Sequence, residues 1–155
     1  ARLAFVGAGP LEAPVRARAE ELGLGDRVIF TGFRKDVEAL LPGLDVHVLL
    51  SRNEGFGIAT AEAMACGVPV VGTDVPGSAD VIAGSGAGLL LPRGDAEGTA
   101  AALAALAADP VRRARLGEAG RVWVAQRFAR PVWEAGLERF YGQVLGEPVR
   151  AGAAP

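Results

Sequence analysis

The sequence predicts an α/β fold in which a parallel sheet is flanked by helices. Short apolar, β-branched runs alternate with segments of helical spacing up to Leu91, which is the pattern of consecutive βα units. One of these runs, residues 69–72, follows directly on a Gly-Val sequence that ends a helix. It is apolar throughout, as expected for a parallel strand that is buried on both faces.

The individual elements follow from these patterns. The helix predicted at residues 58–66 contains the good helix formers Ala, Glu and Met, and Gly67 ends it. The pair Pro42-Gly43 ends an earlier short helix. The expected strands are residues 2–6, 27–30, 45–50, 69–72 and 88–91, and the other early helices are residues 10–22 and 34–41.

Three more helices are expected in the last third of the chain. Asp95 and Asp109 are predicted N-caps, and Pro110 suits a first helical turn. The last helix, residues 130–145, carries an apolar stripe that either packs onto this domain's own sheet or covers a neighbouring domain. The small, polar residues 146–155 are predicted to be a disordered tail, which leaves residues 1–145 as one folded domain. The stripe consists of Trp133, Leu137, Phe140, Tyr141 and Val144.

Composition excludes several classes of function. The 155 residues carry a net charge of -2, with one His and one Cys, so a zinc site with three or four such ligands is not expected. The scattered basic residues give no footprint for nucleic acid. No apolar window of membrane-spanning length occurs, and a cytoplasmic location is expected by default. His47, within a strand, and Cys66, beside small residues, are predicted to be packing residues, Cys66 buried.

The segment at residues 51–62 carries most of the candidate chemistry. It lies where a strand ends and a helix begins, and Gly55 and Gly57 let the backbone approach a ligand closely. The free N–H groups and the positive dipole end of that helix favour phosphate. In a parallel sheet, ligands bind at this carboxyl edge of the strands. We therefore predict an anion site at the start of this helix.

Two carboxylates flank the predicted anion site. Glu54 lies before the helix, and Glu62 lies more than one turn inside it. Carboxylates accept hydrogen bonds in pairs, so the vicinal hydroxyls of a sugar or ribose are natural partners. Because a carboxylate repels a phosphate, a cation must offset it. The alternative is structural: a strand-to-helix turn with Glu54 near the positive dipole end and Glu62 solvated.

Two shorter segments follow strands at the same edge of the predicted sheet. Gly7 and Gly9 form a Gly-x-Gly pattern, but Glu12 stands where a dinucleotide fingerprint has its third glycine. This loop either contacts a ligand or is a tight turn with proline in the first helical turn. Phe33 and Arg34 either flank a planar base or are a core Phe beside a solvated Arg.

Several stretches together carry a family resemblance. They are VGAGP at residues 6–10, VIFTGF at 28–33, DVHVLLS at 45–51, and EGFG at 54–57 leading to EAMACGVPVV at 62–71, while residues 88–95 fit as well. The most specific feature is the pair of glutamates with seven residues between them, set in that glycine-rich context. The chain up to about residue 145 resembles the C-terminal domain of family-4 (group 1) retaining glycosyltransferases.

The resemblance implies a GT-B architecture, in which two Rossmann-like domains face each other across a cleft and the C-terminal one holds a nucleotide-sugar donor. Glu62 would hold the ribose hydroxyls, and Glu54, the catalytic candidate, would lie near the donor sugar. Residues 55–58 would contact the sugar and the diphosphate, and residues 33–34 the base. The donor-binding candidates are Glu62, Gly55, Phe56, Gly57, Ile58, Phe33, Arg34, Gly7 and Gly9.

The implied reaction is glycosyl transfer with retention, with a nucleoside-diphosphate sugar as substrate and without a required metal or other cofactor. The family's Arg and Lys that clamp the diphosphate, and its N-terminal acceptor-binding domain, would lie upstream of residue 1. This chain alone is therefore expected to be catalytically incomplete. Membrane association of a full-length parent stays open, because in the family such contacts come mainly from the other domain.

Some residues depart from the family pattern and keep alternatives open. Residues 76–80, Pro-Gly-Ser-Ala-Asp, replace a frequent Gly-Gly-x-Pro-Glu, and we treat them as a loop of altered geometry. One alternative is a sugar-nucleotide epimerase of the same architecture, which would need further acids. Another is a non-catalytic nucleotide-binding module. A dehydrogenase half is disfavoured because the second strand ends in Thr31-Gly32 and not in an acidic residue.

Overall fold

The structure is a computed structural model that describes residues 1–146. The chain divides into two compact units, one formed by Ala1–Leu40 and a larger one that begins at Leu41. The tail predicted from residue 146 lies, apart from Gly146, outside the described residues. A single domain over residues 1–145 stays a prediction.

The first unit is a two-stranded parallel sheet with connecting helices. Strand β1 pairs with β2 in parallel, with Leu3 opposite Val28. The strands predicted at residues 2–6 and 27–30 are confirmed, and the first helix begins two residues later than predicted. The elements are β1 (Leu3–Val6), α1 (Glu12–Glu21), a 3₁₀ turn (Gly25–Arg27), β2 (Val28–Gly32) and α2 (Val37–Leu40).

An aromatic stack connects the two paired strands of this unit. The rings of Phe5 and Phe30 stack at 5.0 Å between centroids, and the Arg16 guanidinium of α1 lies 4.1 Å from the Phe30 centroid. None of residues 1–40 is buried. This unit therefore has contacts between side chains but no enclosed apolar core.

The larger unit has a three-stranded parallel sheet in the order β3-β4-β5, with helices between and after the strands. The predicted fold class is confirmed. A 3₁₀ turn (Leu41–Gly43) comes first. The elements are β3 (His47–Leu49), α3 (Ile58–Ala65), β4 (Val70–Thr73), α4 (Pro76–Ile82), β5 (Gly88–Leu91), α5 (Ala96–Ala108), α6 (Pro110–Arg127) and α7 (Arg130–Leu145).

The core of the larger unit is built around the central strand. All four residues of β4 are buried, as predicted, and Val71 packs with Leu106 of α5 and Leu116 of α6. The predicted N-caps are confirmed: the Asp95 carboxylate accepts from Gly98 N at 2.8 Å, and the Asp109 carboxylate accepts from Arg112 N at 2.8 Å. These caps fix the starts of the two helices that cover the sheet.

Helix α7 has the predicted bounds but buries none of its residues. Its apolar stripe faces outward, with Trp133 62 % and Phe140 58 % exposed. The alternative in which this stripe packs onto the domain's own sheet is therefore wrong. Within residues 1–146, no helix is both long enough and apolar enough to cross a membrane.

Two local expectations are also wrong. The segment treated as a loop is the start of α4, because Pro76 occupies the first helical turn, where its fixed φ and missing N–H are favourable. Cys66 is exposed instead of buried. It follows Ala65 on the outer face of α3, whereas Ala63 and Met64 face the core.

Ser78 and Ser85 form a matched pair of buried hydroxyls. Within the described chain, Ser78 Oγ is fully buried without a hydrogen-bond partner. Ser85 Oγ donates to Ile82 O at 2.6 Å and accepts from Ala87 N at 3.0 Å. A buried hydroxyl without a partner destabilises the folded state, and a bonded one stabilises it.

We expect Ser78→Ala to raise the free energy of unfolding by about 1 kcal/mol, because it removes an unsatisfied buried oxygen. Ser85→Ala should lower it by about 1–2 kcal/mol, because two backbone groups lose their partner. Urea unfolding of the two variants and the parent chain measures both changes. A loss of stability in Ser78→Ala similar to that in Ser85→Ala would contradict this account.

Candidate functional site

The loop between β3 and α3, residues 50–57, holds the first of the two candidate carboxylates. Ser51 Oγ donates to Glu54 Oε2 at 3.3 Å, and Gly55 N donates to Glu54 Oε1 at 3.2 Å. Glu54 is half-buried. The loop itself therefore orients the Glu54 carboxylate, and part of that carboxylate stays accessible to a ligand.

Two neighbouring elements fix the backbone of the β3–α3 loop. Thr73, the last residue of β4, donates its Oγ1 hydrogen bond to Ser51 O at 2.6 Å. Gly77 of α4 lies against the middle of the loop: a Cβ placed there would be 2.4 Å from Glu54 O and 2.7 Å from Gly55 C. Real Cβ atoms do not approach backbone so closely, so this packing requires glycine at 77.

The start of α3 is an uncapped helix N-terminus. Gly57 is the N-cap in a left-handed conformation, φ +84°, that favours glycine. Its carbonyl accepts from Ala61 N at 3.0 Å, while no side chain caps the helix. First-turn N–H groups and the positive dipole end are thus not occupied by a side-chain cap, and the anion site expected there stays a prediction. A Cβ at Gly57 would be 3.7 Å from Glu54 Cγ, so the held carboxylate adjoins this helix start.

Glu62 lies one turn further along α3 on its outer face. Ile58, four residues earlier, shares this face and is 66 % exposed. The opposite face, with Thr60 and Met64, is buried against the rest of the unit. The Glu62 side chain is exposed, and both a ligand-binding and a solvated role stay compatible with its position.

His47 supports the first turn of α3 from the sheet. Its Nε2 lies 3.3 Å from Oγ1 of Thr60, a residue that is 1 % exposed. Burial lowers the pKa of His47 below its ordinary value, because desolvation disfavours the imidazolium. The prediction of a packing residue fits this position. The hydrogen bond to Thr60 was not predicted.

Phe56, in the middle of the β3–α3 loop, contacts a residue that sequence reasoning missed. Its ring meets the Phe128 ring edge to face, with 5.2 Å between centroids and 85° between planes. Phe128 lies at the junction of α6 and α7. No local pattern signals this contact, because the two residues are far apart in the sequence. Thr73 and Gly77 likewise contact loop residues that are far from them in the sequence, Ser51 and Glu54, and no local pattern signals these contacts.

In the first unit, the structure brings the two predicted loops together. Gly7 N donates to Gly32 O at 2.9 Å, which joins the loop after β1 to the end of β2. A groove of about 370 Å³ beside them is lined by Gly7, Gly9, Phe5 and Phe30 together with the start of α1. The predicted ligand contacts of Gly7 and Gly9 stay predictions.

The loop after β2 exposes its aromatic residue. Phe33 is 74 % exposed, so the alternative of a core Phe is wrong. Arg34 makes two hydrogen bonds to the Asp36 carboxylate, one of them 2.9 Å from Arg34 Nε to Oδ1. This guanidinium holds the pKa of Asp36 below its ordinary value. Phe33 is thus available to stack on a planar group, and its role toward a base stays a prediction.

Metal ligands are not clustered in the part of the chain that the structure describes. Over residues 1–146, no group of three or more His, Cys, Asp and Glu side chains could hold a metal ion.

Comparison with known proteins decides the family. The profile of the family described as "Glycosyl transferases group 1" matches residues 1–123. The chain belongs to the group 1 glycosyltransferases. The family resemblance that the two-glutamate motif carries is thereby confirmed.

Individual members agree with this assignment. This group 1 chain is 37 % identical over 145 residues to the N-acetyl-α-D-glucosaminyl L-malate synthase of Bacillus anthracis, covering 94 % of the chain and 38 % of that protein. It superimposes with a TM-score of 0.83 on a sucrose-phosphate synthase from Thermosynechococcus elongatus, at 30 % identity and with coverages of 94 % and 39 %.

A further solved structure is the Anabaena protein HepE in complex with UDP-glucose. It matches with a TM-score of 0.81 and 25 % identity, covering 92 % of this chain and 41 % of HepE. The chain spans about two fifths of the length of these three relatives. The GT-B class of the fold is confirmed by these neighbours.

The glycine at 77 provides a test of the loop geometry. We expect Gly77→Ala to lower the free energy of unfolding by about 2 kcal/mol, because the new methyl group overlaps the backbone at Glu54. Gly136→Ala is the matched control: its Cβ meets nothing within 4 Å, and alanine should stabilise α7 by up to about 1 kcal/mol. Chemical denaturation measures both, and equal stabilities for the two variants would refute the packing described for Gly77.

Proposed function

We propose that this chain is the donor-binding half of a retaining glycosyltransferase, which moves a sugar from a nucleoside-diphosphate sugar to an acceptor. The observation that carries the proposal is the uncapped start of α3 at Gly57, directly beside the held carboxylate of Glu54. An anion site and a hydroxyl-binding group adjoin each other there. A sugar joined to a diphosphate presents both chemistries.

The diphosphate would bind at the first turn of α3. Backbone N–H groups donate to phosphate oxygens without requiring a cation, and the helix dipole adds to this attraction. The glycines at 55 and 57 leave no side chain over the backbone on either side of Phe56. As the leaving diphosphate gains charge, the same donors would stabilise it, which is catalysis by preorganised electrostatics.

The two glutamates would bind hydroxyl groups on either side of the diphosphate. Glu62, one turn along the exposed face of α3, is suited to accept hydrogen bonds from both ribose hydroxyls. Glu54, held by Ser51 Oγ and Gly55 N, would accept from hydroxyls of the transferred sugar and fix its orientation. Orientation of this kind contributes by placing the reacting atoms in line before reaction.

Charge balance bears on whether the chain can act alone. Two carboxylates beside a diphosphate repel it, and the peptide dipoles at one helix start do not neutralise two further charges. The chain spans about two fifths of the length of its relatives, and the family resemblance implies that an Arg and a Lys for this purpose lie in the part that it does not span. We therefore infer that the 155-residue chain binds the nucleotide weakly and does not transfer sugar by itself. A reaction without a metal, an N-terminal acceptor domain and a cytoplasmic location belong to the same proposal.

The relatives supply the first ligand to try. HepE was determined with UDP-glucose, and the Bacillus anthracis relative is named an N-acetyl-α-D-glucosaminyl L-malate synthase. UDP, the nucleotide in the HepE complex, is therefore the first choice of donor nucleotide, with GDP and ADP as comparison. The epimerase and the non-catalytic module stay the alternatives, and an assay of sugar transfer by a full-length parent separates them from a transferase.

We expect titration calorimetry to show that the chain binds one of UDP, GDP and ADP, and that Glu62→Gln weakens this binding by about 10- to 100-fold. This weakening is the size expected when the ribose hydroxyls lose hydrogen bonds to the charged Glu62 carboxylate. Glu138→Gln is the matched control, because Glu138 is an exposed glutamate on another helix, and it should bind as the parent does. Both variants should unfold at the parent's temperature.

Two outcomes would contradict the proposal. The donor site is refuted if none of the three nucleotides gives heat at millimolar concentration, both with this chain and with a full-length parent. Sugar transfer by the 155-residue chain alone would refute its catalytic incompleteness while leaving the donor site intact.

A further inference from the structure

We propose that Phe128 is a positioning residue for nucleotide binding: through its edge-to-face contact with Phe56, it orders residues 55–57 of the β3–α3 loop, which lead into α3. The junction between α6 and α7 would thereby set how well the start of α3 is ordered for a ligand. This inference rests on the proposed function for its effect on nucleotide affinity. Its effect on the order of the loop can be measured without any ligand.

Residues 55–57 depend on this contact more than the earlier residues of the loop do. Thr73 holds Ser51, and Gly77 lies against the backbone at Glu54 and Gly55. Gly57 also lies near the Gly77 carbonyl, since a Cβ placed at 57 would be 3.7 Å from Gly77 O. Phe56 lies between these restrained points, exposed and with a glycine on each side. Glycine has the largest backbone freedom of all residues. A contact at Phe56 therefore restrains the stretch of the loop that leads into the first turn of α3.

Phe128 is itself held in place by both helices of the junction. It is the C-terminal cap of α6, and its backbone N donates to Val124 O at 2.8 Å. The next residue, Ala129, is the N-cap of α7, and its carbonyl accepts from Val132 N at 3.0 Å and from Trp133 N at 3.1 Å. Phe128 is half-buried. The ring thus projects from a fixed point of the backbone.

The contact with Phe128 restrains the Phe56 ring, which the core does not enclose. Phe56 is 38 % exposed, so burial alone does not immobilise it. Edge-to-face aromatic pairs contribute beyond the area that they bury. Losing the pair would let the residues at 55–57 sample more conformations, and a ligand would then have to order them on binding.

Phe128 is a positioning residue and not a catalytic one, because it touches Phe56 and not the proposed nucleotide position. Its removal should therefore loosen the loop without changing which groups contact the ligand. Two readouts follow from this distinction. One is the ¹⁵N backbone order parameter of residues 55–58, which reports their ps–ns order, and the other is UDP affinity.

The experiment compares Phe128→Ala, Phe128→Leu and Phe128→Tyr with Phe140→Ala in the 155-residue chain. Phe140→Ala is the matched control, because Phe140 is an exposed aromatic residue on α7 whose ring contacts Tyr141. In Phe128→Ala, we expect the order parameters of residues 55–58 to fall from about 0.85, typical of a rigid backbone, toward about 0.6. The order parameters of β4, residues 70–73, should stay unchanged.

The conservative variants separate the aromatic contact from general packing. Phe128→Tyr keeps the ring and should leave the order parameters of residues 55–58 at the parent's values. Phe128→Leu keeps an apolar side chain and the fold but loses the edge-to-face contact, so we expect it to resemble Phe128→Ala. If Phe128→Ala does not fold, Phe128→Leu alone decides the question.

A double-mutant cycle on UDP affinity tests whether Phe128 acts on nucleotide binding through Phe56. Phe128→Ala should weaken UDP binding by about 2- to 10-fold, but it should have no further effect in a Phe56→Ala background, because the partner ring is gone. Additive losses would overturn the route through Phe56. Unchanged order parameters at residues 55–58 in both Phe128→Ala and Phe128→Leu would overturn the proposal itself. If the parent chain binds no nucleotide, the proposed function fails, and the order parameters still decide the role of Phe128.

Discussion

The position of the central strand β4 is the constraint on which the candidate site depends. Its four residues are buried and pair on both sides, with β3 and with β5. Because its register is fixed by two neighbours and two packed faces, the end of the strand is also fixed. Thr73 at this end bonds Ser51, and the chain then turns into α4, where Gly77 meets the backbone at Glu54. A rigid strand thus positions a loop that has no core of its own.

The two flanking carboxylates give the site a distinct electrostatic character. A bare helix start attracts any anion, including inorganic phosphate. In the proposed site, Glu54 and Glu62 would lower the affinity for such anions by repulsion and would favour a ligand whose hydroxyl groups donate hydrogen bonds to them. Selectivity for a sugar diphosphate over free phosphate would then come from this balance, in the manner of a site that rejects the wrong partner as well as binding the right one.

Sequence reasoning succeeded where the determinants are local. The caps at Asp95 and Asp109, the buried run of β4 and the bounds of α7 follow from neighbouring residues, and the structure confirms them. It failed at α4, since proline and glycine at its start favour a loop as much as a first helical turn. The exposure of Cys66 and Phe33 and the contacts of Thr73, Gly77 and Phe128 depend on the packing of distant segments, which no periodicity encodes. The family resemblance assigned roles to the candidate site residues, and these roles stay predictions, whereas local patterns alone left a structural alternative open.

The measurement that tests the central claim most directly is a two-dimensional amide NMR titration of the ¹⁵N-labelled chain with UDP. If the diphosphate binds at the start of α3, the largest shifts will be at the amides of Gly57, Ile58 and Ala59. The indole N–H of Trp123, which donates to Val81 O at 3.0 Å, should not move. Saturable shifts whose maxima lie away from residues 55–62, with the α3 amides unmoved, would contradict the account.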